Sequence, residues 1–141
     1  MKIHLVMLGR TRRAELRALI DEYLKRLRRF TPVECSELKQ AAALDRLKKE
    51  PAAAWVLLDA EGRQFQSVPF ARWLGHLRDT GMREVTFLCG DAEGFPAAWR
   101  QRATERLSLG PLTLSHELAR AVLAEQLYRA FALLAGHPYP K

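Results

Sequence analysis

Two short runs, WVLLD from Trp55 to Asp59 and VTFLC from Val85 to Cys89, are apolar at nearly every position. A strand with one face in water alternates polar and apolar residues, whereas a strand covered on both faces need not. Two such strands call for a sheet enclosed between helices, and the rest of the chain supplies them. From about Arg12 to Arg29, Leu16, Leu19, Ile20, Tyr23, Leu24 and Leu27 share one helical face, while Arg13, Arg17, Lys25, Arg28 and Arg29 lie on the other. Ser67 is suited to cap a helix with Phe70, Trp73, Leu74 and Leu77 inward and Gly81 at its end. Ala41 to Glu50 reads as a short helix, and Pro96 opens another reaching about Glu105. The strongest helix follows Ser115, with Glu117 in its first turn and a stripe of Leu123, Leu127, Phe131 and Leu134; Gly136 and Pro138 end it. Ile3 to Leu8, Val33 to Leu38 and a short Leu112 to Leu114 complete a set of five strands. Strands alternating with helices predict an α/β fold with a mostly parallel sheet flanked by helices. With 141 residues and no repeat, linker or low-complexity tract, residues 1–141 form a single domain.

The formal net charge of +7, mostly arginine on the positive side, suits a polyanionic partner such as nucleic acid, though simple solubility charge gives the same balance. Cys35 and Cys89 are far apart and no histidine spacing suits zinc, so no metal is expected. Two lone cysteines fit a reducing compartment. The opening MKIHLVMLG is too short an apolar run for a secretory leader, and no stretch approaches the length of a membrane span. The expectation is a cytoplasmic protein that does not engage a membrane.

In an open parallel sheet, ligands bind beyond the carboxyl ends of the strands. Three glycine-bearing loops fall there: DAEG after WVLLD, GDAEG after VTFLC, and LSLGPL before the last helix. Gly62, Gly90, Gly94 and Gly110 let the backbone bend sharply or come close to a ligand, or they serve tight turns only. Main-chain N–H and C=O groups in such loops can hold an adenine edge or a ribose while the flanking leucines cover its faces. The G-x-G-x-x-G fingerprint, a phosphate loop ending in Gly-Lys-Ser/Thr and a G-x-S-x-G elbow are all absent, which argues against a phosphate-cradling ATPase.

FLCGDAEGF, LSLGPLTLSHELARAVLAEQLYRA and the terminal HPYPK closely resemble the RlmH family of bacterial ribosomal RNA methyltransferases, and KIHLVMLG and EYLKRL agree with it. The resemblance covers essentially the whole chain. It implies a SPOUT-type α/β fold with a C-terminal trefoil knot, a homodimer, and methyl transfer from S-adenosylmethionine to N3 of a pseudouridine in helix 69 of 23S rRNA on assembled ribosomes. The family's cofactor residues fall on Leu58, Gly90, Leu109, Gly110, Pro111, Leu112, Thr113 and Leu114, in the three loops already singled out. Two positions depart from the family. Asp91 stands where a second glycine is usual, and Pro140 replaces the histidine of the usual His-Pro-Tyr-His tail, which leaves a tail histidine's general-base role in doubt.

Methylating an imide nitrogen requires its deprotonated form, whose charge spreads onto the flanking carbonyls, and a nearby guanidinium stabilises that charge. Arg129, in the Y-R-A segment, is the first candidate for this catalytic role; its alternative is an ion pair with Glu125 one helical turn earlier. His116 either faces the substrate or is an ordinary first-turn histidine. Tyr139 and His137 can guide or stack on the target base, or pack as tail residues. Arg12, Arg13 and Lys141 are candidates for rRNA phosphates, although a run of charge is commonly a solvated face. Trp55, Trp73 and Trp99 read as packing residues. Two other functions fit the same residues: a non-catalytic RNA- or ribosome-binding module of this fold, and a methyltransferase acting on another RNA such as tRNA.

Overall fold

Along residues 1–139, which the computed structural model describes, strands and helices alternate from end to end. Their order is β1 (Lys2–Leu8), α1 (Ala14–Leu27), β2 (Val33–Leu38), a 3-10 turn (Ala41–Arg46), β3 (Ala53–Gln64), α2 (Ser67–Asp79), β4 (Glu84–Cys89), α3 (Ala97–Arg102), β5 (Glu105–Ser108) and α4 (His116–Leu134). All five strands join one parallel sheet in the order β2-β1-β4-β3-β5. The two apolar runs thus sit side by side near the centre, as their lack of alternation requires.

The pleat divides the core. Ile3, Leu5, Met7, Val56, Val85 and Phe87 face α1, α2 and α4, where Ile20, Leu24, Leu27, Phe70, Leu74, Leu123 and Leu127 meet them. Val6, Leu8, Leu57 and Leu88 face the opposite side with Leu44 and Trp99. Trp55 and Trp99 stack there with ring centroids 5.5 Å apart, both buried, in keeping with a packing role.

Several boundaries differ from the sequence reading. Leu112–Leu114 is not a strand; the fifth strand is Glu105–Ser108. Thr104 explains the shift, because its N–H donates to the Trp55 carbonyl (2.7 Å) and its Oγ1 accepts from the Trp55 N–H (3.0 Å). That clasp ends α3 early and lays the following residues beside β3. Strand β3 continues past Asp59, where a loop was expected, but its pairing with β5 breaks between Leu58 and Arg63 and resumes at Arg63. Gly62 is needed in that extrusion, since a Cβ there would lie 2.7 Å from the Arg106 carbonyl group. Gln66, not Ser67, occupies the N-cap of α2, and the Ser67 hydroxyl instead donates to Gln126 on α4 (2.9 Å). The helix expected over 41–50 is a 3-10 turn closing at Arg46.

Candidate functional site

Strands β4 and β5 end beside the point where β3 leaves its pairing with β5, and the chain there bends around a cavity of about 300 Å³. That volume is at the lower end for a small-molecule site. Leu58, Gly90, Leu109, Gly110, Leu112, Thr113, Leu114 and His116 line it; Pro111 lies within the same loop but off the wall. Leu112 is 82% exposed at the mouth of the cavity. Gly110 has φ +143°, in the region that favours glycine. The buried Ser108 hydroxyl holds this bend closed, donating to the Gly110 carbonyl (3.0 Å) and accepting from its N–H (3.2 Å). At Gly90 the bare backbone reaches the wall, and a Cβ would come within 3.1 Å of the Gly94 backbone.

Three residues of this region were not singled out from sequence. Asp59 lines the cavity with its carboxylate nearly buried, 3.2 Å from Arg106 Nη1 and 3.4 Å from Arg100 Nε. Ser108 is the staple just described. Arg120, wholly buried on α4, stands behind the cavity wall. Its guanidinium donates to the carbonyls of Leu8 (2.6 Å) and Gly9 (3.1 Å), to Thr11 Oγ1 (2.9 Å), and more distantly to the Gly90 carbonyl (3.4 Å). A signal for it existed: the apolar stripe of Leu123, Leu127 and Phe131, followed one turn back, lands on Arg120.

One turn earlier, Glu117 Oε1 accepts the N–H groups of Arg12 and Arg13, both at 2.9 Å. Arg13 is the N-cap residue of α1 and has no side-chain cap of its own, so a carboxylate from α4 performs that service. The Arg13 N–H chiefly, then that of Arg12, hold the Glu117 carboxyl below its usual range. From the other side Glu37 accepts the Thr11 N–H (2.9 Å) and pairs with Arg17 (3.1 Å). The loop from Gly9 to Arg13 is therefore anchored twice, and it presents the exposed side chains of Arg10, Arg12 and Arg13 at the same sheet edge as the cavity. Arg12 and Arg13 are thus positioned together. His137 is exposed far from them, its ring 5.8 Å from that of Phe30, and Lys141, like Pro140, lies outside the described residues.

His116 faces the cavity, with Nε2 3.9 Å from Glu117. Arg129 and Tyr139 do not. Arg129 makes the expected pair with Glu125 (Nη2 to Oε1 2.6 Å, Nε to Oε1 3.0 Å), and its guanidinium lies over the Tyr139 ring at 4.4 Å. That carboxylate, first of all, raises the Arg129 pKa. Burial and a hydrogen bond with Tyr23 push the Tyr139 phenol up to about 12. Thirteen residues of helix separate Arg129 from His116, roughly 20 Å at about 1.5 Å per residue. Within one chain, then, the cation cluster and the cavity occupy opposite ends of α4.

Among the described residues no helix is long and apolar enough to cross a membrane, and no group of His, Cys, Asp or Glu is gathered to hold a metal ion. A family model described as "Predicted SPOUT methyltransferase" matches residues 1–140. The chain is 42% identical over 142 residues to the ribosomal RNA large subunit methyltransferase H of Koribacter versatilis, covering 99% of this chain and 97% of that one. The protein of the same description from Thermus thermophilus is 44% identical over 139 residues, covering 99% and 98%. A solved structure described as "a probable methylase family protein from Haemophilus influenzae Rd KW20" covers 99% of this chain and 71% of its own, with a TM-score of 0.54 at 11% identity. At that identity the likeness bears on the fold alone.

Proposed function

The chain belongs to the SPOUT methyltransferase family, and from that premise we propose that it methylates ribosomal RNA of the large subunit with S-adenosylmethionine as methyl donor. The finer target is N3 of a pseudouridine in helix 69 of 23S rRNA on assembled ribosomes, in the cytoplasm, as the family resemblance implies. The C-terminal trefoil knot belongs to the same proposal. The cavity at the ends of β4 and β5, beside the break in β3, is the observation that carries this reading: it is lined by leucines and by Gly90, Gly110 and Thr113. Those residues fit an adenosyl group, whose base needs flat apolar cover and whose edges need N–H and C=O partners.

Leu58, Leu109, Leu112 and Leu114 would cover the purine, while Gly90 and the 109–114 backbone read its edge and the ribose. When bound, the cofactor supplies a methyl group on a sulfonium that is already electrophilic. It remains for this chain to place the acceptor nitrogen in line and to favour its deprotonated form. Arg129 serves the second purpose, since a guanidinium against the carbonyls beside N3 stabilises their negative charge, and Glu125 and the Tyr139 ring hold it in place. Arg12 and Arg13 at the cavity edge, with Lys141, bind phosphates and hold the RNA in register.

With the cavity and Arg129 roughly 20 Å apart on one helix, this reading requires a second copy of the chain, whose Arg129 and Tyr139 would complete the site. Methylation of ribosomes from a strain lacking this enzyme, with labelled cofactor and mapping of the modified base, tests the proposal. Label at the helix 69 nucleotide is expected. Cofactor binding without transfer favours a non-catalytic ribosome-binding module, and label in tRNA favours a different substrate.

A further inference from the structure

Asp59 and Asp91 both line the cavity, but their circumstances differ. The Asp59 carboxylate is offset by two guanidinium groups, those of Arg106 and Arg100 at 3.2 and 3.4 Å. Asp91 forms no ion pair among the described residues. One of its oxygens, Oδ1, accepts the Glu93 N–H at 2.9 Å and so closes the turn after β4; Oδ2 has no hydrogen-bond partner among the described residues. Behind this wall lie Arg120 and, beside the cavity-lining His116, the Glu117 carboxylate. Arg120 is wholly buried, hydrogen-bonds no carboxylate, and reaches the carbonyl of Gly90, the residue before Asp91.

These charges have a chemical consequence for the ligand. S-adenosylmethionine carries a sulfonium, an ammonium and a carboxylate, net +1; the product left after methyl transfer is a neutral thioether with the same ammonium and carboxylate, net zero. The two share nearly every contact a shaped cavity can make, so shape discriminates weakly and charge is the main lever. A carboxylate on the wall whose charge no guanidinium offsets favours the more cationic form.

We propose that Asp91 is a specificity-determining residue that makes the cavity prefer the cationic methyl donor over its neutral demethylated product, so that spent cofactor leaves more readily. The inference rests on the cofactor reading above. Coulomb's law for one extra charge at close range, in a site open to water, gives a preference of about three- to tenfold.

Asp91→Asn is the decisive variant, because its amide oxygen can still accept the Glu93 N–H while the charge is gone. Calorimetric Kd values for S-adenosylmethionine and S-adenosylhomocysteine are measured on wild type and variant. The ratio of product Kd to donor Kd is expected to fall about three- to tenfold in the variant, mainly through weaker donor binding. An unchanged ratio, with both ligands still bound, overturns the inference and leaves Asp91 a turn residue. Wild-type protein that binds neither ligand overturns the cofactor reading itself, a distinguishable result. Should Asp91→Asn fail to fold, the wild-type ratio measured from low to high salt decides. Screening should erode a charge-based preference, and a salt-independent ratio refutes it.

Discussion

Replacing Arg120 with methionine tests whether a buried cation without a bonded carboxylate partner holds this fold together. The side chain is wholly buried, and three of its hydrogen bonds, to Leu8 O, Thr11 Oγ1 and Gly9 O, lie between 2.6 and 3.1 Å. Bonds from a charged donor contribute ~1.5–3 kcal/mol each after exchange with water, so the three offer at most ~4.5–9 kcal/mol. Burying a guanidinium costs several kcal/mol against that, and Nε, which finds no partner, adds to the cost. Methionine removes both the bonds and the buried charge while keeping much of the volume. What decides the sign is the acceptors it cannot satisfy: the Leu8 and Gly9 carbonyls lose a donor, at ~1–3 kcal/mol each. The expected net loss is ~3 kcal/mol, a large share of the ~5–15 kcal/mol typical of a domain. Urea unfolding followed by circular dichroism reads it as a lower midpoint with an unchanged slope. A loss under ~1 kcal/mol, or a gain, would mean that the acceptors find other partners and that the guanidinium is no keystone. Because the same side chain reaches the Gly90 carbonyl, cofactor Kd in the surviving folded protein should rise as well.

Glu117 gives a pH prediction. Its carboxyl titrates below the usual 4.5 in the folded chain, chiefly through the Arg13 N–H. The stabilisation is therefore complete above about pH 4.5 and is lost as pH falls through the lowered folded value. Glu117→Gln should lower stability at pH 7 and flatten the acid limb of the stability profile; an acid limb identical to wild type refutes the cap. Thiol labelling gives another. Burial pushes Cys89 up to about 12, and Cys35 is exposed, though burial of its thiol and the nearby Glu37 and Asp21 carboxylates raise its pKa too. Native protein at pH 8 should therefore react with an aromatic disulfide at one thiol, slowly, and at both only after denaturation; two thiols reacting in the native state would contradict the buried β4.

What could be read in the sequence followed burial. WVLLD and VTFLC announce themselves because strands covered on both faces leave few polar positions, and α1 because one face is rich in arginine and the other in leucine. Strand β5 stayed hidden because only Leu107 and Ser108 of its four residues are buried, while LTL looked strand-like with no strand to pair with. The cavity loops were legible, since Gly110-Pro111 interrupts an apolar run for no reason of packing. Asp59, Ser108, Glu117 and Arg120 were not read as parts of the site, because their partners are main-chain groups and distant arginines. Of the four, Glu117 and Arg120 connect the cavity side of α4 to a loop more than a hundred residues away. Local patterns carry no record of such contacts.

The separation along α4 leads to the sharpest test of the complete site. A continuous helix from His116 to Leu134 cannot fold back on itself, so no hinge within one chain brings Arg129 to the cavity beside His116. Two chains can, if each lends its Arg129 to the other's cavity. Take Arg129→Ala, which keeps an intact cavity, and Gly110→Val, which forces a β-branched side chain into φ +143° and spoils the cofactor loop. Each variant alone should be inactive in methyl transfer. Mixed in equal amounts and allowed to exchange, half of the pairs become hybrids. In each hybrid the intact cavity of one chain faces the intact Arg129 of the other, so about one site in four regains activity, as the twofold symmetry of such a pair dictates. If Arg129 serves its own chain, no hybrid contains a whole site and the mixture stays inactive. Silence from the mixture, with hybrid pairs demonstrated by native mass spectrometry, would therefore remove the shared site and with it the catalytic place given to Arg129.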